Sequence, residues 1–249
     1  MEVEVPVIAH LSDTHLDTSS ERLARFSAAL SQIEQLPEVS ALLVSGDLTD
    51  HGTADEYREF FDALPKEIPT IVVPGNHDLS APMQEALLNR GWEGTLNSSL
   101  TVDGVTIVGL DSHIDNHDEG ELRTDALAFA QDAIDAAPGR VVLAMHHPAV
   151  PVGHHVMDQY GLRNPDELRA LLENNEQVIA VLTGHVHTAL ATTFAGRPLL
   201  GAPGIVSTMR LGSRTDPVAD NTAAPGLALH TLAGPTLRTV FHTLSSDTW

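Results

Sequence analysis

The chain has 249 residues, of which 42% are hydrophobic and 19% are charged, as in ordinary soluble globular proteins. Its formal net charge of −21 argues against a long nucleic-acid partner, because proteins that bind the phosphate backbone carry a basic surface. Cysteine is absent, which excludes disulfides and thiolate metal sites, and no segment has the roughly 18 apolar residues of a membrane helix. We therefore expect a cytoplasmic protein without a membrane partner.

Short apolar runs alternate with helical patterns through the first two hundred residues. Six runs have the length and composition of strands buried on both faces: Val5–Ser12, Val39–Gly46, Ile68–Pro74, Val105–Asp111, Val141–His146 and Val178–Gly184. Five segments between them carry apolar residues at helical spacing: Glu21–Leu36, Ala54–Leu64, Pro82–Arg90, Leu122–Ala136 and Pro165–Asn174. Thr53 and Asn164 are predicted N-caps, and Pro165 suits the first position of its helix.

After Gly184 the pattern changes to strands joined by Gly and Pro turns, with no helix between them. The predicted strands are Ala189–Ala195, Pro198–Gly201, Gly226–Leu232 and Thr236–Leu244, and Ser213–Pro225 is a predicted polar loop. No repeat or linker interrupts the chain. The pattern therefore predicts one α/β domain over residues 1–249, with a mixed central sheet and an antiparallel C-terminal part.

Polar residues follow five of the predicted strands at their carboxyl ends. They are Asp13-Thr14-His15, Gly46-Asp47, Gly75-Asn76-His77-Asp78, His146-His147-Pro148 and Gly184-His185-Val186-His187. Turn chemistry or chance can explain most of these segments taken alone. Gly75-Asn76-His77-Asp78 is more telling, because a plain turn requires neither His nor Asp after Gly-Asn. Because ligands of open α/β sheets bind beyond the carboxyl ends of the strands, all five in this order predict one shared site.

The types of these side chains predict a pair of metal ions. Carboxylate, amide oxygen and imidazole suit a divalent or trivalent ion of intermediate hardness, and there are too many donors for one ion. Two ions about 3.5–4 Å apart, bridged by one carboxylate, would use all the donors and clamp the attacking and leaving oxygens of a phosphate. We expect Mn or Fe, with Zn and Co as alternatives.

The ordered set of five segments resembles the signature of the calcineurin-like metallophosphoesterases from Asp13 to His187. Two longer strings, Gly46-Asp47-Leu48-Thr49-Asp50-His51-Gly52 and Glu119-Gly120-Glu121-Leu122, are similar to the bacterial class III cyclic-nucleotide phosphodiesterase branch, which includes glycerophosphodiesterases. The resemblance implies a four-layer α/β/β/α sandwich. It also implies a homodimer and a small phosphodiester substrate, hydrolysed by a metal-bound hydroxide.

The resemblance implies seven metal ligands. Those of the first ion are Asp13, His15, Asp47 and His187, and those of the second ion are Asp47, Asn76, His146 and His185. His77 is similar to the family histidine that contacts the phosphate and protonates the leaving oxygen, and Asp78 is expected to orient His77. The sequence assigns His147 no role beyond the surroundings of the site.

Other functions stay open. The chain could be a phosphomonoesterase or protein phosphatase, a metal-dependent regulatory binding module without turnover, or an acidic interaction protein that recruits basic partners. The intact donor set favours an enzyme, because a non-catalytic descendant would be free to lose it. Three loops, at His113–Glu121, Val150–Gly161 and Ser213–Pro225, are predicted to frame the cleft. Their histidines could touch substrate, but the favoured expectation is that they are exposed loop residues: His113, His117, His154 and His155.

Overall fold

Strands and helices alternate along most of the chain. The computed structural model describes residues 5–210, 218–234 and 236–245. Its helices are α1 (Ser20–Glu34), α2 (Ala54–Ala63), α3 (Ser80–Asn89), α4 (Thr124–Ala136) and α5 (Pro165–Asn174). Its strands are β1 (Val7–Leu11), β2 (Val39–Ser45), β3 (Thr70–Val73), β4 (Ser98–Val102), β5 (Val105–Gly109), β6 (Arg140–Ala144), β7 (Val178–Thr183), β8 (Leu190–Phe194), β9 (Arg197–Gly201), β10 (Thr208–Met209), β11 (Ala219–Asp220), β12 (Gly226–Ala233) and β13 (Thr236–Thr243).

Two large sheets contain most of these strands. One sheet has the order β13-β12-β1-β2-β3, with β1, β2 and β3 parallel and the two C-terminal strands antiparallel. The other has the order β4-β5-β6-β7-β9-β8, with a parallel centre and antiparallel edge strands β4 and β8. Strands β10 and β11 form a separate antiparallel ribbon. The carboxyl ends of the parallel strands are therefore collected at one edge of each sheet.

The two sheets pack face to face, and helices cover their outer faces. Between the sheets, Ile8 and Leu43 of one sheet share a buried cluster with Ile107 and Val142 of the other. On one outer side α1, α2 and α3 pack against β1 and β2, and the rings of Phe26 and Phe60 stack at 5.2 Å. On the other side α4 and α5 pack against the second sheet. The predicted α/β/β/α sandwich is confirmed.

The predicted helix caps differ in their chemistry. Thr53 forms a capping box with Glu56, because its hydroxyl accepts from Glu56 N while the Glu56 carboxylate accepts from Thr53 N at 2.9 Å. Asn164 stands before α5, and Pro165 takes the first helical position as predicted. The Asn164 side chain does not cap the helix. It bonds Leu122 N and Leu122 O instead, both at 2.9 Å, and so ties α5 to the loop before α4.

Among the described residues, fifteen elements lie within two residues of the predicted bounds, and three strands were not predicted. The first is β4, a half-exposed edge strand, and the others are β10 and β11, which have two residues each. The predicted loop Ser213–Pro225 contains β11, and its residues 213–217 lie outside the described residues. No helix in the described part of the chain is both long enough and apolar enough to span a membrane.

Candidate metal centre

All seven predicted metal ligands lie in turns that directly follow strands. Three turns follow β1, β2 and β3 of the first sheet, and two follow β6 and β7 of the second. The site is therefore at the seam where the carboxyl ends of both sheets meet. Hydrogen bonds hold the turns together across this seam, including His185 N to Asp13 Oδ1 at 3.1 Å and His146 Nδ1 to Ser45 O at 2.8 Å.

Five of the seven predicted ligands have a left-handed backbone. Their φ angles are 56° at Asp13, 42° at His15, 49° at Asp47, 71° at His185 and 51° at His187. Asp and His tolerate this region better than most residues, but each such position still costs on the order of 1–3 kcal/mol. Strain of this kind persists where the surrounding structure enforces it, and it is concentrated at functional sites.

Two glycines let the turns approach one another. A Cβ atom at Gly75 would lie 2.2 Å from Asp47 Oδ1 and 2.3 Å from Asp47 N, so a larger residue would displace that carboxylate. Gly46 has a φ of 97°, and a Cβ atom there would lie 2.4 Å from His146 Nδ1. Gly46 thus adopts a left-handed turn that favours glycine, whereas Gly75 is required for space.

A first group of donors contains Asp13, His15, Asp47 and His187, whose ligand atoms all lie within 4.8 Å of one another. Nε2 of His15 is 3.3 Å from Asp47 Oδ2, and Nε2 of His187 is 3.4 Å from Asp13 Oδ1. Two donors that each lie about 2.1 Å from one ion, at octahedral or tetrahedral angles, are about 3.0–3.4 Å apart. The spacing in this group matches that requirement.

A second group surrounds the amide oxygen of Asn76. This oxygen lies 3.1 Å from His146 Nε2 and 3.0 Å from His185 Nδ1. Nε2 of His146 is also 3.4 Å from Asp47 Oδ2. One carboxylate oxygen of Asp47 therefore stands between the two groups, as a bridging ligand would.

The hydrogen-bond partners of the imidazoles leave their inward nitrogens free for an ion. Nδ1–H of His146 donates to Ser45 O at 2.8 Å, and Nδ1–H of His15 donates to Asp50 Oδ1 at 3.0 Å. Because a carbonyl and a carboxylate only accept, Nδ1 keeps its proton, and in the neutral imidazole the lone pair on Nε2 points inward. Within the described residues, Asp13 Oδ2 is buried without a hydrogen-bond partner. A buried orphan carboxylate oxygen fits a cation.

Electrostatics show that the site attracts positive charge. Burial lowers the pKa of His15, but the attraction of Asp47 and hydrogen bonds to Asp47 and Asp50 outweigh burial and raise that pKa to about 10. The pKa of His146 is likewise raised to about 9, since Asp47 overcomes the effect of burial. Burial, assisted by His146, lowers the pKa of His185 to about 3. The buried carboxylate of Asp47 thus stabilises positive charge beside it. It would attract a divalent metal ion more strongly than an imidazolium, because the metal ion carries twice the charge.

Asp50, not Asp78, contacts the imidazole of His77. Nδ1–H of His77 donates to Asp50 O at 3.0 Å, and Asp50 Oδ1 lies 3.8 Å from the same nitrogen. The Asp50 carboxylate also accepts from His15 and, at 2.9 Å, from Arg22 Nη1. Sequence reasoning assigned no role to Asp50 or Arg22. The presence of a second aspartate, Asp50, in the Gly46–Gly52 string could have indicated a role for this residue.

Asp78 instead holds the turns after β2 and β3 together. Its buried carboxylate accepts from Leu48 N at 3.1 Å, Gly75 N at 2.9 Å and the Tyr57 hydroxyl at 3.1 Å. Thr49 contributes two further hydrogen bonds to it. The expected orientation of His77 by Asp78 therefore has no support in the contacts. The geometry makes Asp78 a brace for the backbone on which Asp47 and Asn76 sit.

His147 and two of the loop histidines have structural partners. Nε2–H of His147 donates to Asp118 O at 3.2 Å, and its Nδ1 accepts from the Ser112 hydroxyl at 2.9 Å, so neither nitrogen is free for an ion. The expectation that His113 and His154 are exposed is wrong. His113 is buried between Asp111 and Asp115, and the ring of His154 accepts from Met157 N.

Five of the seven predicted ligands line the floor of a cavity of about 320 Å³: His15, Asp47, Asn76, His185 and His187. His77 lies in the same lining, with 41% of its side chain exposed. The walls above the floor come from the segment around Met157 and from the β10–β11 ribbon. A ligand in this cavity would therefore touch His77 and the metal-ligand groups together.

The chain is similar in sequence to known phosphoesterases. A sequence profile of the family described as calcineurin-like phosphoesterase matches residues 6–189. The chain is 34% identical to the 3',5'-cyclic adenosine monophosphate phosphodiesterase CpdA of Pseudomonas aeruginosa, over 79% of this chain and 75% of the relative. It is 30% identical to a 3',5'-cyclic-nucleotide phosphodiesterase of Nostoc, over 92% and 89%. A probable glycerophosphodiester phosphodiesterase of Arcobacter nitrofigilis is 28% identical, over 88% and 85%.

Solved structures share the fold at low sequence identity. A dimetal phosphatase from Danio rerio superposes with a TM-score of 0.69 at 12% identity, over 97% of this chain and all of that chain. A purple acid phosphatase from yellow lupin gives a TM-score of 0.70 at 12% identity, over 97% of this chain and 52% of that chain. The profile match covers well over half of the chain and includes every predicted ligand. The chain therefore belongs to the calcineurin-like phosphoesterase family.

Proposed function

We propose that the protein is a metal-dependent phosphodiesterase that hydrolyses small phosphodiesters, such as cyclic nucleotides or glycerophosphodiesters. The observation that carries the proposal is the position of Asp47 Oδ2, 3.3 Å from His15 Nε2 and 3.4 Å from His146 Nε2. One carboxylate thereby joins two donor groups, as a two-metal hydrolytic site requires. The names of the relatives from Pseudomonas aeruginosa, Nostoc and Arcobacter nitrofigilis favour a diester over a monoester.

Seven side chains would hold the ions. The first ion would be bound by Asp13, His15, Asp47 and His187, and the second by Asp47, Asn76, His146 and His185. When bound, such a pair lowers the pKa of a water molecule and neutralises charge on the phosphate. Carboxylate, amide and imidazole donors fit Mn or Fe, and they also accept Zn or Co.

His77 would act on the substrate itself. Its Nδ1–H is held by Asp50 O, and the ring lines the cavity. As an imidazolium, it can donate Nε2–H to a phosphoryl oxygen or to the leaving oxygen. When the bond between phosphorus and the leaving oxygen breaks, the departing alkoxide takes this proton, which makes His77 the general acid. Asp50 would position both His77 and His15.

The experiment is hydrolysis of bis(p-nitrophenyl) phosphate and of p-nitrophenyl phosphate by metal-stripped protein, with and without added Mn. We expect Mn to restore turnover and the diester to be the better substrate by kcat/KM. Preference for the monoester would instead assign a phosphatase. Failure to hydrolyse either compound with two ions bound would contradict the proposal and favour a non-catalytic binding module.

A further inference from the structure

The cavity above the metal-ligand groups has a polar floor and two largely apolar walls, which we call the loop wall and the ribbon wall. The loop wall is formed by Met157 and Tyr160, and the ribbon wall by Val206, Met209 and Val218. Val186, between two predicted ligands, adds a further apolar side chain to the lining. The floor is polar because five of the predicted ligands and His77 lie there. A ligand that fills this cavity therefore needs a charged end and a flat or apolar end.

The loop wall belongs to a segment with defined structure. Met157 begins a 3₁₀ turn that ends at Gln159, and Tyr160 N donates to Met157 O at 3.0 Å directly after it. The turn is attached to the preceding loop by hydrogen bonds from Val152 N and Gly153 N to the Asp158 carboxylate. Tyr160 and Met157 are both half-buried. Their rings and thioethers are therefore accessible from the cavity on a fixed support.

The ribbon wall is supported by the predicted metal centre itself. Ser207 Oγ lies 2.6 Å from His187 Nδ1, so the residues beside Ser207 are held next to the floor. Met209 pairs with Ala219 across the ribbon and is 7% exposed. Asn221 also lines the cavity, and its amide can donate to and accept from the edge of a base.

From these walls we infer that the substrate carries a planar aromatic ring, a nucleobase, and that Tyr160 and Met209 determine specificity for it. The inference rests on the proposed function and narrows it to nucleotide diesters. Tyrosine and methionine bind flat rings through stacking and sulfur–aromatic contacts. The hydroxyl groups of a glycerol substituent would lose water against the apolar side chains with few partners in return, which disfavours glycerophosphodiesters.

Calorimetry with the Mn-loaded protein isolates the contribution of the base. The probes are 5'-AMP and ribose 5-phosphate, which share the phosphate and sugar and differ in the adenine. We expect the wild type to bind 5'-AMP on the order of tenfold more tightly, the effect of one base–aromatic stack. Tyr160→Ala should remove most of this difference and leave the affinity for ribose 5-phosphate unchanged.

Two further variants serve as controls. Tyr160→Phe retains the ring and should retain the preference for 5'-AMP. Met209→Ala, on the other wall, should weaken the binding of 5'-AMP and leave the affinity for ribose 5-phosphate unchanged. Equal affinities for the two probes in the wild type, or a preference that survives both alanine variants, would overturn the inference. Tighter binding of phosphocholine than of 5'-AMP would also overturn it, because Tyr160 would then be recognising a cation.

The activity assay separates failure of this inference from failure of the proposed function. If the wild type hydrolyses bis(p-nitrophenyl) phosphate but does not prefer 5'-AMP, the phosphodiesterase proposal stands and the assignment of the walls is wrong. If the wild type hydrolyses no diester, the proposed function fails. The binding comparison then still decides whether the walls recognise an aromatic ring.

Discussion

Asp47 is the single side chain that belongs to both groups of donors. Its Oδ2 atom lies close to Nε2 of His15 and of His146, at 3.3 and 3.4 Å. We expect Asp47→Ala to lower Mn affinity by at least about 100-fold, more than the loss of an outer partner of a ligand causes. Metal analysis after dialysis should find fewer than two Mn per chain. Two tightly bound Mn in this variant would contradict the bridging role.

His77 provides the matched contrast, because it lines the cavity without belonging to the proposed ligand set. We expect His77→Ala to keep the metal content of the wild type and to lower kcat by roughly 10²- to 10⁴-fold, the usual contribution of a general acid. Metal analysis and steady-state kinetics on the same preparation measure the metal content and kcat. Wild-type turnover in His77→Ala would show that the assigned role is wrong.

Asp50 and Asp78 differ in what their carboxylates contact, and their variants should differ accordingly. Asp50 accepts from His15 Nδ1, so Asp50→Ala should weaken Mn binding about 10- to 100-fold while the fold stays stable. Asp78 accepts from several backbone amides and from Tyr57, so Asp78→Ala should lower the free energy of unfolding by about 3 kcal/mol or more. Calorimetric Mn titration and urea unfolding of metal-free protein measure the two effects. The reverse pattern would contradict these assignments.

At the scale of elements, a buried histidine pair connects β1 and β12. His10 Nδ1 lies 3.1 Å from His230 Nε2, and the pair continues to Ser45 Oγ at one end and Thr239 Oγ1 at the other, each at 2.8 Å. Burial lowers the pKa of His230 to about 3. Burial and the neighbouring His230 also lower the pKa of His10. Both imidazoles are therefore neutral in the folded protein at neutral pH.

This pair predicts a loss of stability in acid. The unfolded chain takes up protons on these histidines below pH about 6.5, whereas the folded chain does not, so the stabilisation is complete above that pH. As the pH falls toward 3, the free energy of unfolding decreases by up to about 1.4 kcal/mol per pH unit for each histidine. Urea unfolding between pH 7 and 4 in EDTA should give a shallower pH dependence for His230→Gln. Identical slopes for variant and wild type would contradict the prediction.

The fold was predictable where strands are buried on both faces. Strands β1, β5 and β7 are nearly continuous apolar runs, and their ends lie within two residues of the predicted positions. Strand β4 was missed because its sequence is polar and half-exposed at the edge of its sheet, so no apolar run marks it. Strands β10 and β11 are too short to produce a pattern, and they form through pairing with each other.

The convergence of the candidate donors was predictable from the sequence, whereas their hydrogen-bond partners were not. The seven donors follow directly from strand ends, and the structure brings all of them to one seam. The partner of His77 could not be derived, because Asp78 is adjacent in sequence while Asp50 reaches His77 only after the turns fold together. The burial of His113 likewise depends on Asp111 and Asp115 closing around its ring, which is a tertiary effect.

At the scale of the whole molecule, the site lies between two sheets that differ in the number and order of their strands. Three ligand-bearing turns come from the first sheet and two from the second, so anything that shifts the sheets relative to each other changes the distance between donors. A single domain over residues 1–249, a homodimer and a cytoplasmic location remain predictions from the sequence.

The measurement that tests the central claim most directly is diester turnover during titration of metal-free protein with Mn. Because the donors form two groups that share Asp47, we expect no turnover without metal and a plateau when two Mn are bound per chain. Simultaneous metal analysis supplies the stoichiometry. Turnover by metal-free protein, or a plateau at one Mn per chain, would contradict a two-metal hydrolytic centre.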